Sequence, residues 1–205
     1  DVYLAIEEQM LVNVAKRLAR HDSLLDGDIE SWQLQNMNQL EGLREENIAF
    51  IASRSDKTIE EVRKAFERAG YGVLDEQESI LQKGAKEGVL DEAPPIAESA
   101  ALASVLESYE RQAKDTFNLV NTTMLDQSQQ VYLDIINQTT GQVLAGAQTA
   151  RQAMRDTVSK WAGNGVPALI DKGGRQWSTE AYTSMIMRST SNNVANDMQF
   201  ARMDD

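Results

Sequence analysis

The stretch ESAALASVLESYERQAKDTFNLVNTTMLDQSQQVYLDIINQTTGQVLAGA, Glu98 to Ala147, decides the fold. It contains no proline, and apolar side chains recur through it at Leu102, Val105, Leu106, Tyr109, Ala113, Phe117, Val120 and Met124. The register resumes at Val131, Ile135, Thr139 and Val143. Spacings of three and four place these residues on one face of a helix. The first half alone, Glu98 to Thr123, would extend about 40 Å at the usual helical rise. The sequence leaves open whether the helix is continuous or broken near Leu125 to Ser128.

Outward from that stretch the chain reads as helices. Tyr3 to Arg20 places Leu4, Met10, Leu11, Val14 and Leu18 on one side, with Lys16, Arg17 and Arg20 in the last turn, where cations suit the helix dipole. Asp28 can cap a second helix through Trp32, Leu34, Met37 and Leu40, which bends or breaks near Gly42 before continuing to Arg54. Thr58 with Glu61 forms a capping box, and Gly70 has the position of a C′ glycine, predicting a short helix between them. A further helix covers Leu74 to Glu87. Gln148 to Trp161 and a segment capped by Ser178 complete the set. Val166 to Trp177 can form one short β-hairpin around Lys172-Gly173-Gly174, or an irregular loop.

The expected fold is therefore all-α: an elongated multi-helix protein with a long central helix or helical hairpin. Asp91-Glu92-Ala93-Pro94-Pro95 cannot be helical throughout. The sequence division is an N-terminal helical subdomain over 1–90, a proline-containing linker at 91–97 and a C-terminal helical subdomain over 98–205.

Of 205 residues, 6% are aromatic and three are proline, which favours helices over a β-sandwich. Residues 1–98 carry 21 acidic and 11 basic side chains, and residues 99–205 carry 11 and 9. An acidic surface repels phosphate, so strong nucleic-acid binding by this segment is not expected. Cysteine is absent, which removes disulfides, thiolate nucleophiles and cysteine zinc sites. No run is apolar enough for a membrane span.

Candidate sites are few. His21, the single histidine, ends the first helix without a catalytic partner. Asp26, Asp28 and Glu30 alternate like an ion-binding loop but lack the glycine and bidentate glutamate that calcium loops use, so capping explains them better. Lys172-Gly173-Gly174-Arg175 lacks the rest of a phosphate-binding loop. No nucleophile-base pair, carboxylate dyad or metal spacing can be assembled, so no catalytic, cofactor-binding or metal-ligating residue is assigned and no enzymatic activity is expected. The polar, weakly charged side of Asn118 to Gln142 is a different case. Asn118, Asn121, Thr122, Thr123, Gln129, Gln130 and Tyr132, with Arg188 in the last helix, are the candidates for a protein-contact surface.

Several segments carry a family likeness: Leu11-Val12-Asn13-Val14-Ala15-Lys16-Arg17-Leu18, Trp32-Gln33-Leu34 with Leu40, Glu46-Asn47-Ile48, Asn118-Leu119-Val120-Asn121-Thr122-Thr123, Gln129-Gln130-Val131-Tyr132 and Arg188-Ser189-Thr190. In this order the chain resembles the minor capsid protein 2 family of tailed bacteriophages and, more loosely, the Mu F-like minor head proteins. The resemblance implies a virion protein, assembled in the bacterial cytoplasm and held inside the head near the portal vertex. It implies as partners the portal protein, further copies of itself and other head proteins, with packaged DNA nearby but not strongly bound, and no membrane. Its implied role is in head assembly, genome packaging or ejection. A transient helical scaffold absent from the mature particle is the alternative. Family members usually continue past the Arg188 helix into a segment with a His-Gly-Ala-Arg-Pro-like motif, whereas this sequence stops at Asp205.

Overall fold

The computed structural model describes residues 2–25, 27–89, 93–164, 169–170 and 175–204, without the side chains of 56, 75, 76, 163, 164, 169, 170, 176 and 180. Among the described residues the chain forms seven α-helices: α1 Val2–Arg20, α2 Ile29–Met37, α3 Leu40–Gly72, α4 Leu74–Lys86, α5 Ala100–Leu144, α6 Ala150–Asn164 and α7 Thr179–Asp204. The fold is all-α. Two short 3-10 turns, Asp22–Leu24 and Ile96–Glu98, join the helices, and an antiparallel pair of two-residue strands, β1 Leu169–Ile170 and β2 Gln176–Trp177, sets Leu169 opposite Trp177 and Ile170 opposite Gln176. The turn expected at Lys172-Gly173-Gly174 and the Asp91-Glu92 part of the linker lie outside the described residues.

Helix ends follow from local chemistry. The Asp28 side chain accepts hydrogen bonds from the Glu30 and Ser31 backbone N–H groups at the start of α2, and the Ser99 hydroxyl accepts from Leu102 N–H at the start of α5 (3.1 Å). Gly88 and Gly146 carry positive φ after α4 and α5. At each, paired bonds close the last turn: Gly88 N–H to Ala85 O with Val89 N–H to Gly84 O, and Gly146 N–H to Val143 O with Ala147 N–H to Gln142 O. These are Schellman ends, which need a residue without a Cβ penalty at the left-handed position.

Two expected helix breaks are corrected and a third is shifted. The break expected near Gly42 falls at residues 38–39, between Met37 and Leu40, and Gly42 itself lies in the first turn of α3. The capping box at Thr58 and Glu61 starts nothing, because α3 runs unbroken from Leu40 to Gly72, and buried Ile51, Val62 and Phe66 keep the helical repeat through it. Gly70 is helical with ordinary φ, so it is not a C′ glycine. A Cβ at Gly70 would overlap the Met198 sulfur, and close packing explains the glycine there. The alternative left open for α5 is also resolved: it is one helix of 45 residues.

The chain divides into two compact units, neither continuous in sequence: residues 1–54 with 119–180, and residues 55–118 with 181–205. Pro94 and Pro95 do interrupt the helices, yet the residues on both sides of them share the second unit.

In the first unit, Val14, Leu18, Leu25, Trp32, Leu43, Val131, Tyr132, Ile135, Ile136 and Ala150 form the core, with Leu40, Met154, Val158 and Trp161 packed against it. The buried side of α1 is Tyr3, Ile6, Met10, Val14 and Leu18, so Leu4 faces outward, contrary to the sequence expectation. Leu34 and Met37 of α2 are likewise exposed, and Trp32 and Asn36 take the buried side.

In the second unit, Val62, Phe66, Leu74, Leu102, Ala113, Phe117, Val194 and Met198 are buried. Phe66 and Tyr109 meet edge to face at 6.5 Å, an arrangement the ring quadrupoles favour.

Candidate functional site

Of the contact residues expected from the sequence, the structure places Asn118 and Arg188, both exposed, in the second unit and the other six in the first. On the first-unit part of α5, the outward stripe is Leu119, Thr122, Asp126, Gln130, Asp134 and Asn137, three or four apart. Leu119, 64% exposed, is the large apolar residue of that stripe. Gln130 donates to the Asp134 carboxylate at 2.9 Å, and Gln33 donates to Asn137 at 3.1 Å.

The remaining candidates face partly or wholly inward. Thr123 donates back to Leu119 O at 2.9 Å, and Gln129 accepts from Arg44 at 2.7 Å. Asn121 is half-buried, and its side-chain oxygen is buried without a hydrogen-bond partner among the described residues. Tyr132 is fully buried, its hydroxyl 3.0 Å from both the backbone and side-chain oxygens of Asn36. It therefore offers a partner no surface, and its place in the contact set is corrected to a core role. Burial pushes its hydroxyl up to about 12, with the positive Arg17 and Arg20 opposing.

Sequence reasoning missed a buried polar chain through α1, α3 and α5 of the first unit. Gln9 donates to Asn13 (2.8 Å), Asn13 to Asn47 (2.9 Å), Asn47 to the Ser128 hydroxyl (3.1 Å), and Ser128 to Leu125 O (2.8 Å). Asn13, Asn47 and Ser128 are all buried. A buried amide costs stability when left unpaired, so such a chain tolerates one relative placement of the three helices. Beside it, buried Arg17 donates to Gln39 Oε1 (3.1 Å), the Gly42 carbonyl and Glu46 (3.0 Å). A Cβ at Gly42 would come 2.7 Å from the guanidinium, so the glycine makes room for it.

Asn13, Arg17, Trp32, Glu46, Asn47, Gln129 and Tyr132 all belong to segments that carry the family likeness. The signal was available in the sequence as polar residues set at core-facing helix positions.

For the other candidates, Asp28 is occupied as the α2 cap, and hydrogen bonds from Ser31 hold its carboxyl below the usual range. His21 closes α1 next to the turn Asp22–Leu24. Asp26 and Lys172-Gly173-Gly174 lie outside the described residues.

A family model described as phage minor capsid protein 2 matches residues 1–205. A protein of Lactococcus phage LL-H described as "Structural protein" is 28% identical over 217 residues, covering 100% of this chain and 57% of its own length. The chain thus spans little more than half of that relative. No solved structure gives a significant match.

Proposed function

Because this chain belongs to the phage minor capsid protein 2 family, we propose that it is a structural component of a tailed-phage particle, a minor head protein held inside the head at the portal vertex. In this reading the helices position and contact; they perform no chemistry. The partners are the portal protein, further copies of the chain and neighbouring head proteins, with the genome close by. The role is head assembly, packaging or ejection.

The observation that carries the contact surface is the outward stripe of α5 in the first unit. Leu119, Thr122, Asp126 and Gln130 lie exposed on the same helix that buries Val120, Met124, Val131 and Tyr132. A stripe with one large apolar residue among short polar side chains suits a protein contact with a polar rim. Net charge supports the limited role given to DNA, since acidic side chains outnumber basic ones by 12. No helix among the described residues is long and apolar enough to cross a membrane.

A reconstruction of the portal vertex without imposed icosahedral symmetry tests the reading. Density for α5 against the inner portal face, with Leu119 and Gln130 at the contact, is the expected result. A mature vertex lacking the protein overturns it; protein confined to precursor heads would support a transient scaffold instead.

A further inference from the structure

The second unit carries an open groove of about 670 Å³ that none of the assigned roles uses. Ser104, Val105, Ser108, Tyr109, Arg111, Gln112 and Asp115 of α5 line it, with Asp197 of α7 opposite. The α5 residues run along one face for three turns, about 16 Å. Short side chains at Ser104 and Ser108 leave the space open, and Val105 and Tyr109 give it an apolar floor.

Two of its longer side chains, Tyr109 and Arg111, are held. The Tyr109 hydroxyl donates to Asp197 at 2.6 Å, and its ring rests edge-on against Phe66. Arg111, the cation of the lining, donates through Nε to Glu107 O on its own helix (3.4 Å). Nearby Glu110 is neutralised by Lys114 at 3.0 Å, whereas Asp115 has no ion-pair partner among the described residues. The Tyr109 hydroxyl stays protonated beside Asp197, since burial and that carboxylate together push it up to about 12. The unit as a whole carries 17 acidic and 10 basic residues, a balance of −7.

We propose that this groove is a docking site for a basic segment of a partner protein, whose arginine or lysine side chains meet Asp115 at one end and Asp197 beside the Tyr109 ring at the other. Guanidinium groups pair with carboxylates in two-point fashion and lie favourably on aromatic rings, so arginine fits best. The same charge repels nucleic acid. The proposal rests on Asp115, Asp197 and Tyr109 alone and stands whether or not the stripe that begins at Leu119 meets a portal.

The test uses the full chain, isotope-labelled for NMR, titrated with a hexa-arginine peptide. Amide shifts should centre on residues 104–115 and 197. The D115N/D197N variant should bind about tenfold more weakly, and because the amide oxygen introduced by D197N still accepts from Tyr109 the fold should persist. A control, E8Q/E45Q, removes the same charge from exposed positions elsewhere and should change affinity less than twofold. Equal weakening in both variants, or shifts spread over all acidic faces, would overturn the site as generic attraction. Binding of a single-stranded oligonucleotide at the same amides would overturn the choice of a protein partner.

Discussion

The two units solve one problem, holding helices from distant parts of a chain in register, with different chemistry. The first places uncharged amides and a hydroxyl inside: Asn13, Asn47 and Ser128 in a line, with Tyr132 on Asn36 beside them. Its buried cation, Arg17, pairs at the margin with Glu46, whose side chain is 40% exposed. The second has one dominant buried polar feature, Arg202, whose side chain is 1% exposed. Its guanidinium meets the Glu78 carboxylate at 2.8 to 3.0 Å and donates to the Pro94 carbonyl at 2.7 Å. One cation thus joins α7 to α4 and to the segment after it. Amides give many weak, direction-dependent constraints. A buried ion pair gives one constraint whose loss is severe, because the surviving charge is left in a medium that cannot solvate it.

That contrast can be broken by mutation. Glu78→Ala should cost about 3 kcal/mol, since it strands Arg202, and should be partly rescued by a second change, Arg202→Leu. Urea denaturation read by circular dichroism checks both. Asn47→Ala should cost less, about 2 kcal/mol, because it leaves the Asn13 amide N–H without its acceptor and the Ser128 hydroxyl, still bonded to Leu125 O, without its donor, both neutral groups. If Asn47→Ala proves the more damaging, the amide line and not the clasp is the stronger device.

A subtler comparison is alkaline titration of Tyr132 in the first unit and Tyr109 in the second, both pushed up to about 12. A raised folded-state value means the protonated hydroxyl is favoured by folding. Its contribution is complete below the unfolded value near 10 and is lost as pH climbs towards 12. Ultraviolet titration of Tyr109→Phe and Tyr132→Phe should each remove one late-titrating tyrosine. The smallest effect is expected at the surface: Leu119→Asp should shift stability by less than about 0.5 kcal/mol while weakening any portal contact seen by co-sedimentation. Loss of stability there would mean Leu119 belongs to the fold.

Most helices are legible because burial imposes a repeat of three and four on α1, α5 and α7. The ends of α3 are not. Thr58 and Glu61 have the chemistry of a helix start, but a capping box is a local preference of about 1 kcal/mol, and the burial of Ile51, Val62 and Phe66 along one helix outweighs it. Gly42 and Gly70 read as breaks because a sequence does not say what approaches a glycine. The structure supplies Arg17 for one and Met198 for the other. Tyr132 is misplaced in the sequence reading because its neighbours Gln129 and Gln130 are polar, although Ile135 and Ile136, three and four residues on, share its buried face; the partner that satisfies its hydroxyl there, Asn36, is 96 residues away in sequence. The units cannot be read from proline positions, since both are assembled from separated segments.

The amide line has a consequence for synthesis. Asn47 and Ser128 are 81 residues apart. At the usual elongation rate of about 5–20 residues per second, α1 and the first half of α3 wait roughly 4–16 s for the strip of α5 that completes their interior. During that interval Met10, Trp32 and Leu43 have no finished core to enter. The nascent chain is then a substrate for chaperones, and the pace of the ribosome sets how long it stays one.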